Sequence, residues 1–246
     1  MNVKLIAHTA LSDEFVSEIT NFEELTGVFH QPYENDRAAI ALTAIRCCYS
    51  PLKPTEIITE EGEKYFGQSA SDGQGGTEAD RLIRHIVASK HTSTLEHLTY
   101  TFAVEGVSRA LLAQLTRHRV GFSYSVQSQR YVRFGSGDKS GGFDYVTPES
   151  IQNNHEALRV FDAVMSELQA AYDKLRALGI PAEDARAVLP ITATCNIVLT
   201  LNLRALLDFY QKRKRGNGAQ REIAELAERL REEIVKADPW TAKFFD

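Results

Sequence analysis

Residues 98–107 read LTYTFAVEGV, and this stretch carries the clearest strand pattern in the chain. Its β-branched and aromatic residues alternate with other positions, as in a strand that buries one face. Ser108 follows and is placed to cap a helix whose apolar stripe is Leu111, Leu112 and Leu115. The strand thus leads into an amphipathic helix. The sequence contains neither of the glycine-rich phosphate-binding motifs, G-x-x-x-x-G-K-S/T and G-x-G-x-x-G.

The segments on either side mix strands and helices without a regular βαβ repeat. Alternation predicts further strands at 2–9, 143–146 and 191–202. Apolar spacing predicts helices at 36–48, from Thr77 onward, at 148–178 up to Gly179, after Pro181, and at 203–214 and 220–236; residues 67–76 and 135–142 are predicted loops. We therefore expect an α+β fold, with a mixed β-sheet flanked by long helices in a single domain over residues 1–246.

Composition excludes several classes of protein. The chain has 246 residues, 43% hydrophobic and 25% charged, with a net charge of -5, so bulk charge does not predict binding to a polyanion. The N-terminus lacks a signal-peptide pattern, and no run approaches the roughly 18 apolar residues of a membrane span. Cys47, Cys48 and Cys195 show no disulfide spacing and are typical of reduced thiols in a cytoplasmic protein, although the adjacent pair also permits a redox switch.

Two segments are basic despite the acidic total. Residues 105–133 contain five arginines and one acid, interleaved with serine, glutamine and tyrosine, and arginine suits bidentate binding of phosphate or a pyrimidine edge. The second segment, residues 204–221, contains the run Lys212–Arg215. Four consecutive helical residues point all round the axis, so this run fits a solvated surface as well as a nucleic-acid-binding module.

A third cluster, His91 to His97, reads HTSTLEH and precedes the strand at 98. His85, His91 and His97 are spaced by six, which does not share one helical face, and no cysteine or carboxylate pair joins them, so no metal site is predicted. Ligand contacts through hydroxyls and rings are one interpretation of the cluster. A capping Ser or Thr with a satisfied core histidine is the other.

Within the first basic segment, Arg117-His118-Arg119 is followed by Ser128-Gln129-Arg130. This arrangement resembles the R-H-R signature, ending in serine, of the flavin-dependent thymidylate synthases. His91 to His97 resembles the H-x-T-x-x-E-H element of the same family. The other similar segments are Arg46 to Ser50, Gly179 to Pro190, Asn202 to Arg204 and Ala219 to Ile223, which follow in the family's order.

The resemblance implies methylation of dUMP to dTMP. Methylenetetrahydrofolate is then the carbon donor, reduced FAD the hydride donor and NADPH the reductant of the flavin. It also implies a homotetramer with active sites between subunits. From composition and charge, we expect a cytoplasmic protein that binds neither nucleic acid nor membrane. A flavin held by several chains needs no single-chain nucleotide loop.

The resemblance also assigns residues. The positions that match substrate-binding ones are Gln114, Arg117, Ser128, Gln129, Arg130, Arg186 and Arg213. Those that match flavin-binding ones are Ser93, Glu96, Arg117, His118, Arg119, Asn202, Arg204 and Asp208. His91 matches the histidine that stacks near the folate, and Arg213 the catalytic arginine that polarises the pyrimidine.

The chain departs from the family's pattern in places that bear on its substrate. Eight residues rather than seven separate Arg119 from Ser128, and Ser125-Val126 replace a usual Asn-Glu, which removes a carboxylate. A relative that methylates UMP or a related uridine nucleotide is therefore an alternative. Asp208 replaces an asparagine, and the loop 214–218 lacks a histidine and is one residue longer, which makes Arg215 a rival to Arg213.

Overall fold

The structure is a computed structural model that describes residues 1–20 and 32–245, with the backbone alone for Thr20 and residues 32–35. The strands are β1 (Asn2–His8), β2 (Thr99–Ser108), β3 (Phe122–Val126) and β4 (Thr194–Asn202). The α-helices are α1 (Asp13–Thr20), α2 (Pro32–Cys47), α3 (Ile57–Phe66), α4 (Glu78–Ala88), α5 (Arg109–Leu115), α6 (Glu149–Gln152), α7 (His155–Ala177), α8 (Ala182–Ala185), α9 (Leu203–Arg213) and α10 (Arg221–Ala237). Short 3-10 helices cover Thr92–His97, Arg186–Val188 and Pro239–Phe245.

The four described strands form one sheet in the order β1-β2-β4-β3. Strands β1 and β2 run in opposite directions. Asn2 is hydrogen-bonded to Glu105 near the end of β2, whereas Thr9 is hydrogen-bonded to Thr99 at its start. The same reversed order relates β2 to β4 and β4 to β3. The α+β class is confirmed, but the prediction of a mixed sheet was wrong, because every described pairing is antiparallel and such strands need no βαβ crossover.

The chain packs as two compact units, each discontinuous in sequence. Unit 1 comprises Met1–Val3, Ala103–Arg119 and Tyr124–Leu199, and unit 2 comprises Lys4–Phe102, Val120–Ser123 and Thr200–Asp246. The chain passes from one unit to the other within each of the four strands and once more between Arg119 and Val120. The single-domain description of residues 1–246 stays a prediction.

In unit 1, helix α7 covers a core that includes Phe134, Met165 and Tyr172. The predicted continuous helix over 148–178 was wrong, because it breaks after α6 where Asn154 caps α7. The Asn154 side chain accepts hydrogen bonds from the backbone N–H groups of Glu156 and Ala157, both at 3.1 Å. The predicted end at Gly179 is confirmed by its positive φ of 85°.

The predicted strands flanking this helix were partly wrong. Residues 143–146 contribute only an isolated bridge from Tyr145 to Ala193, and β4 begins at Thr194 rather than at residue 191. In unit 2, Thr77 caps α4 as predicted, with a reciprocal contact in which Asp80 accepts from the Thr77 N–H at 2.7 Å. The pattern of the sequence did not predict α1, α3 or β3.

A polar cluster is buried in unit 2. Arg37 is 2% exposed and Asp238 is 0% exposed, and Nε of Arg37 lies 2.5 Å from Oδ2 of Asp238. The hydroxyl of Tyr100 donates to the same oxygen at 2.8 Å, and a second guanidinium nitrogen of Arg37 lies 2.7 Å from Nδ1 of His8. Burial and the Asp238 carboxylate raise the pKa of Tyr100 well above its ordinary value. This cluster ties four separate segments of the unit together.

Candidate functional site

The Arg117–Arg119 turn follows directly after α5, which ends at Leu115. The Tyr124 hydroxyl donates to the carbonyl of Leu115 at 2.9 Å and lies 2.5 Å from that of His118. Burial raises the pKa of Tyr124, so the hydroxyl stays a proton donor. Arg117 and Arg119 are exposed on this turn, and His118 is half-buried. Tyr124 therefore fixes the backbone on which the two arginines stand.

The Ser128–Arg130 turn is held from the neighbouring helix. Nη2 of Arg109 donates to the carbonyl of Gln127 at 2.7 Å, while Nε of Arg109 is buried without a hydrogen-bond partner. The Ser128 hydroxyl then accepts from the backbone N–H of Arg130 at 3.1 Å, which closes the turn. Gln129 is half-buried beside it, and Gln114 lies on α5. These contacts position the polar segment that the sequence assigned to the nucleotide.

Arg130 and Arg186 meet at one glutamate. Nε of Arg130 lies 2.5 Å from a carboxylate oxygen of Glu183, and Nε of Arg186 donates to the Glu183 backbone carbonyl at 3.0 Å. Both partners of the ion pair are exposed, so it contributes about 0–1 kcal/mol. Arg130 and Arg186 are both exposed and both contact Glu183, and guanidinium groups of this kind suit a dianionic phosphate. The phosphate of a nucleotide would compete with the Glu183 carboxylate for Arg130.

The predicted flavin residues of unit 2 include Asn202, which caps α9. Its side chain accepts from the N–H of Ala205 at 2.8 Å, and its own N–H donates to the carbonyl of Gly121 at 3.2 Å. Gly121 has φ +73°, and a Cβ there would lie 2.7 Å from the Asn202 amide nitrogen and from the Ala205 methyl. Gly121, one of the eight residues between Arg119 and Ser128, therefore stands at a position that requires glycine.

Arg204 and Glu96 form an exposed ion pair in the same unit. Ser93 is exposed on the 3-10 helix Thr92–His97, and His91 is the residue just before it. The Tyr49 hydroxyl lies 2.9 Å from Nδ1 of His91. In this cluster Thr94 and Leu95 are buried, whereas His91 is half-buried and Ser93, Glu96 and His97 are exposed. The exposure of these polar residues favours ligand contacts over the alternative of a core histidine.

The residues of the basic run Lys212–Arg215, at the end of α9, have different surroundings. Lys212 lies 2.7 Å from the carboxylate of Asp208, and Lys214 lies over the ring of Tyr210 at 5.9 Å. Arg213 is the last helical residue and is half-buried, whereas Arg215 is exposed in the following turn. The four cations accordingly do not form one face.

The structure therefore collects the predicted residues in two sets. Unit 1 holds Gln114, Arg117, His118, Arg119, Ser128, Gln129, Arg130 and Arg186, and unit 2 holds His91, Ser93, Glu96, Asn202, Arg204, Asp208 and Arg213. A groove of about 530 Å³ beside α7 and a cavity of about 480 Å³ beside α4 are lined by other residues.

Four supporting side chains were missed as site residues by the sequence reasoning: Tyr49, Arg109, Tyr124 and Glu183. Arg109 and Tyr124 were recognised only as members of a polar basic segment. Their partners lie 18 and 9 residues away, so no local pattern identifies the contacts. Tyr49 stands in a segment similar to a family motif, but its partner is 42 residues further along the chain.

Comparison with protein families finds a match over residues 32–240 to the model described as thymidylate synthase complementing protein. The chain is 41% identical over 181 residues to the flavin-dependent thymidylate synthase of Geobacter sulfurreducens, covering 74% of this chain and 69% of that protein. The order of the motifs is thus accompanied by similarity along most of the sequence.

Two solved structures share the fold. The UMP/dUMP methylase PolB from Streptomyces cacaoi, bound with 5-Br dUMP, aligns with a TM-score of 0.68 at 22% identity over 99% of this chain and 93% of its own. Thymidylate synthase X from Helicobacter pylori, with FAD and dUMP, aligns with a TM-score of 0.65 at 22% identity over 100% and 98%. At this identity, the likeness concerns the fold alone.

Proposed function

Because the chain belongs to the thymidylate synthase complementing protein family, we propose that it is a flavin-dependent thymidylate synthase that methylates dUMP at C5 to give dTMP. Methylenetetrahydrofolate is the carbon donor, and NADPH is the reductant of the flavin. The observation that carries the substrate class is the meeting of Arg130 and Arg186 at Glu183 beside the Ser128 turn, since this arrangement fits a nucleotide phosphate.

The residues of unit 2 fit an anionic cofactor that contains rings. The guanidinium of Arg204 is paired with the exposed Glu96, a partner that a diphosphate can replace at small cost. Asn202 and Ser93 add hydrogen-bond donors in the same unit. In unit 1, the exposed Arg117 and Arg119 are further candidates for the cofactor. When bound, reduced FAD supplies the hydride that completes the methyl group.

The chain's own residues orient the nucleotide and stabilise charge on the pyrimidine. Arg130 and Arg186 bind its phosphate, assisted by Ser128, Gln129 and Gln114. Arg213 polarises the pyrimidine, because a guanidinium beside its carbonyl oxygens favours the electron-rich ring that attacks at C5. Arg213 is the better candidate than Arg215, since it ends a rigid helix and is half-buried, whereas Arg215 is exposed in the turn beyond it.

We also assign the chain to a homotetramer. The predicted site residues line neither the 530 Å³ groove nor the 480 Å³ cavity, although small-molecule sites are usually concave. Many of these residues are exposed, including Ser93, Arg117, Arg119, Arg130, Arg186 and Arg204. Sites completed by neighbouring subunits account for that exposure.

Among the described residues, no helix is long and apolar enough to cross a membrane.

UMP is the second candidate substrate. Ser125 and Val126 stand where a carboxylate is usual, and the UMP/dUMP methylase PolB has the same fold. A pocket without that carboxylate has less means of discriminating the ribose hydroxyl. The nucleic-acid-binding alternative through Lys212–Arg215 is disfavoured, because Lys212 is paired with Asp208 and the net charge is -5.

Tritium release from 5-labelled nucleotides tests the function. We expect a yellow protein that releases tritium from dUMP when methylenetetrahydrofolate and NADPH are present, with the same mixture lacking NADPH as the control. Faster release from UMP would assign the chain to the second substrate. A protein that stays colourless after incubation with FAD would contradict both enzymatic proposals.

A further inference from the structure

Tyr49 makes a directed contact to His91 from a different part of unit 2. Its hydroxyl lies 2.9 Å from Nδ1 of the imidazole, and the two ring centroids are 5.8 Å apart with the planes at 90°. The Tyr49 side chain is 60% exposed, so core packing does not explain its orientation. The contact to His91 is the interaction that orders this ring.

The backbones beneath both rings are fixed. The N–H of Tyr49 donates to the carbonyl of Arg46 at 2.8 Å, and the side chains of Arg46 and Ser50 both bond Glu61, at 2.5 and 2.8 Å. The N–H of His91 donates to the carbonyl of Ile86 at 3.2 Å. An exposed hydrogen bond between two anchored residues loses less conformational freedom than one between mobile side chains.

The 2.9 Å contact allows the Tyr49 hydroxyl to donate to Nδ1 of His91. In that arrangement the hydroxyl occupies the lone pair of Nδ1, and the ring proton resides on Nε2. The Nδ1 lone pair lies in the ring plane, and the hydroxyl therefore approaches the edge of the imidazole. Tyr49 consequently leaves both faces of the His91 ring uncovered by its own ring.

We propose that Tyr49 is a positioning residue, which holds His91 in the Nε2–H tautomer and in a fixed plane so that an imidazole face stacks on the pterin ring of methylenetetrahydrofolate. This inference rests on the proposed function, from which His91 takes its folate role. Tyr49 acts through His91 and touches no reacting atom. Its removal weakens folate binding and leaves nucleotide and flavin binding intact.

Tyr49→Phe tests the proposal, because it removes the hydroxyl and keeps the ring. Loss of one side-chain hydrogen bond of about 0.5–1.5 kcal/mol corresponds to about a 2- to 13-fold weaker affinity. In calorimetry of the FAD-loaded enzyme, we expect the dissociation constant for tetrahydrofolate to rise by about this factor. FAD content, dUMP affinity and melting temperature should not change. Tyr145→Phe, which removes a hydroxyl that donates to Asp162 at 3.4 Å, is the matched control.

A double-mutant cycle with His91→Phe separates positioning from a direct role. If Tyr49 acts through His91, Tyr49→Phe has no further effect on folate affinity in the His91→Phe background. An equal loss in both backgrounds would overturn the proposal. Nitrogen-15 spectra of the histidines add a readout independent of activity: we expect Nε2–H for His91 in the parent protein and both tautomers in Tyr49→Phe. An Nδ1–H imidazole in the parent would also overturn it.

The proposed function and the positioning role of Tyr49 are contradicted by different results. A protein that binds no FAD and turns over neither dUMP nor UMP would remove the proposed function and the folate role together. Normal turnover with an unchanged tetrahydrofolate dissociation constant in Tyr49→Phe would remove the positioning role alone.

Discussion

Replacing Arg37 with methionine should destabilise the protein severely without touching the proposed site. The guanidinium is 2% exposed, and its Nε lies 2.5 Å from Asp238, which is itself 0% exposed. Methionine fills much of the volume but leaves the Asp238 carboxylate in the core without its cation. The change therefore tests a buried charge rather than a lost packing contact.

The expected magnitude follows from burial. Removing one partner of a buried ion pair costs about 3–5 kcal/mol, because the remaining charge is desolvated and uncompensated. The loss is larger than that of a surface pair, about 0–1 kcal/mol. For a chain of this size, each kcal/mol lowers the melting temperature by about 2–4 °C, so the decrease should be about 6–20 °C.

Thermal and urea unfolding of three variants provide the assay. Arg229→Met is the matched control, since Arg229 makes an exposed ion pair of 2.8 Å with Glu225. Arg37→Met/Asp238→Asn removes the uncompensated charge and should recover at least half of the loss. If this double variant is no more stable than Arg37→Met, or if Arg229→Met costs as much, the reasoning from buried charge is refuted.

Three further predictions concern the site and its support. Arg213→Ala should abolish tritium release while FAD is retained, and Arg215→Ala should be milder; the reverse order in the same assay would assign catalysis to Arg215. Gly121→Ala should lower the free energy of unfolding by at least about 1 kcal/mol in urea, because an alanine there has φ +73° and its Cβ would lie 2.7 Å from Asn202, whereas Gly137→Ala meets no atom within 4 Å and should be neutral. The hydrogen bond from Arg46 lowers the pKa of Glu61, so the stability that Glu61 contributes is present above its unfolded pKa of about 4.3 and is lost as the pH falls through the lower folded value. Glu61→Gln should therefore be less stable than the parent at pH 7, with a gap that closes in acid; a gap independent of pH would show that this ion pair does not set the difference.

Local signals in the sequence were sufficient for several elements. The alternation at 98–107 and the capping residues Thr77 and Ser108 predicted β2, α4 and α5, because a strand's burial pattern and a helix cap depend on residues a few positions apart. A prediction was wrong where a side chain competes locally with the helix for backbone hydrogen bonds. Asn154 divides the expected helix at 148–178, since its side chain competes with the helix for backbone N–H groups.

The sequence by itself determined the family, because the order and spacing of the motifs, from the Arg46 segment to the one at Ala219, are properties of the linear chain. It also determined which residue types are available for phosphate and flavin. Tertiary structure decided which of them meet: Arg130 with Glu183, Arg204 with Glu96 and Tyr49 with His91 are 53, 108 and 42 residues apart. Such pairs depend on how separate elements pack. No periodicity of 2 or 3.6 residues encodes that packing.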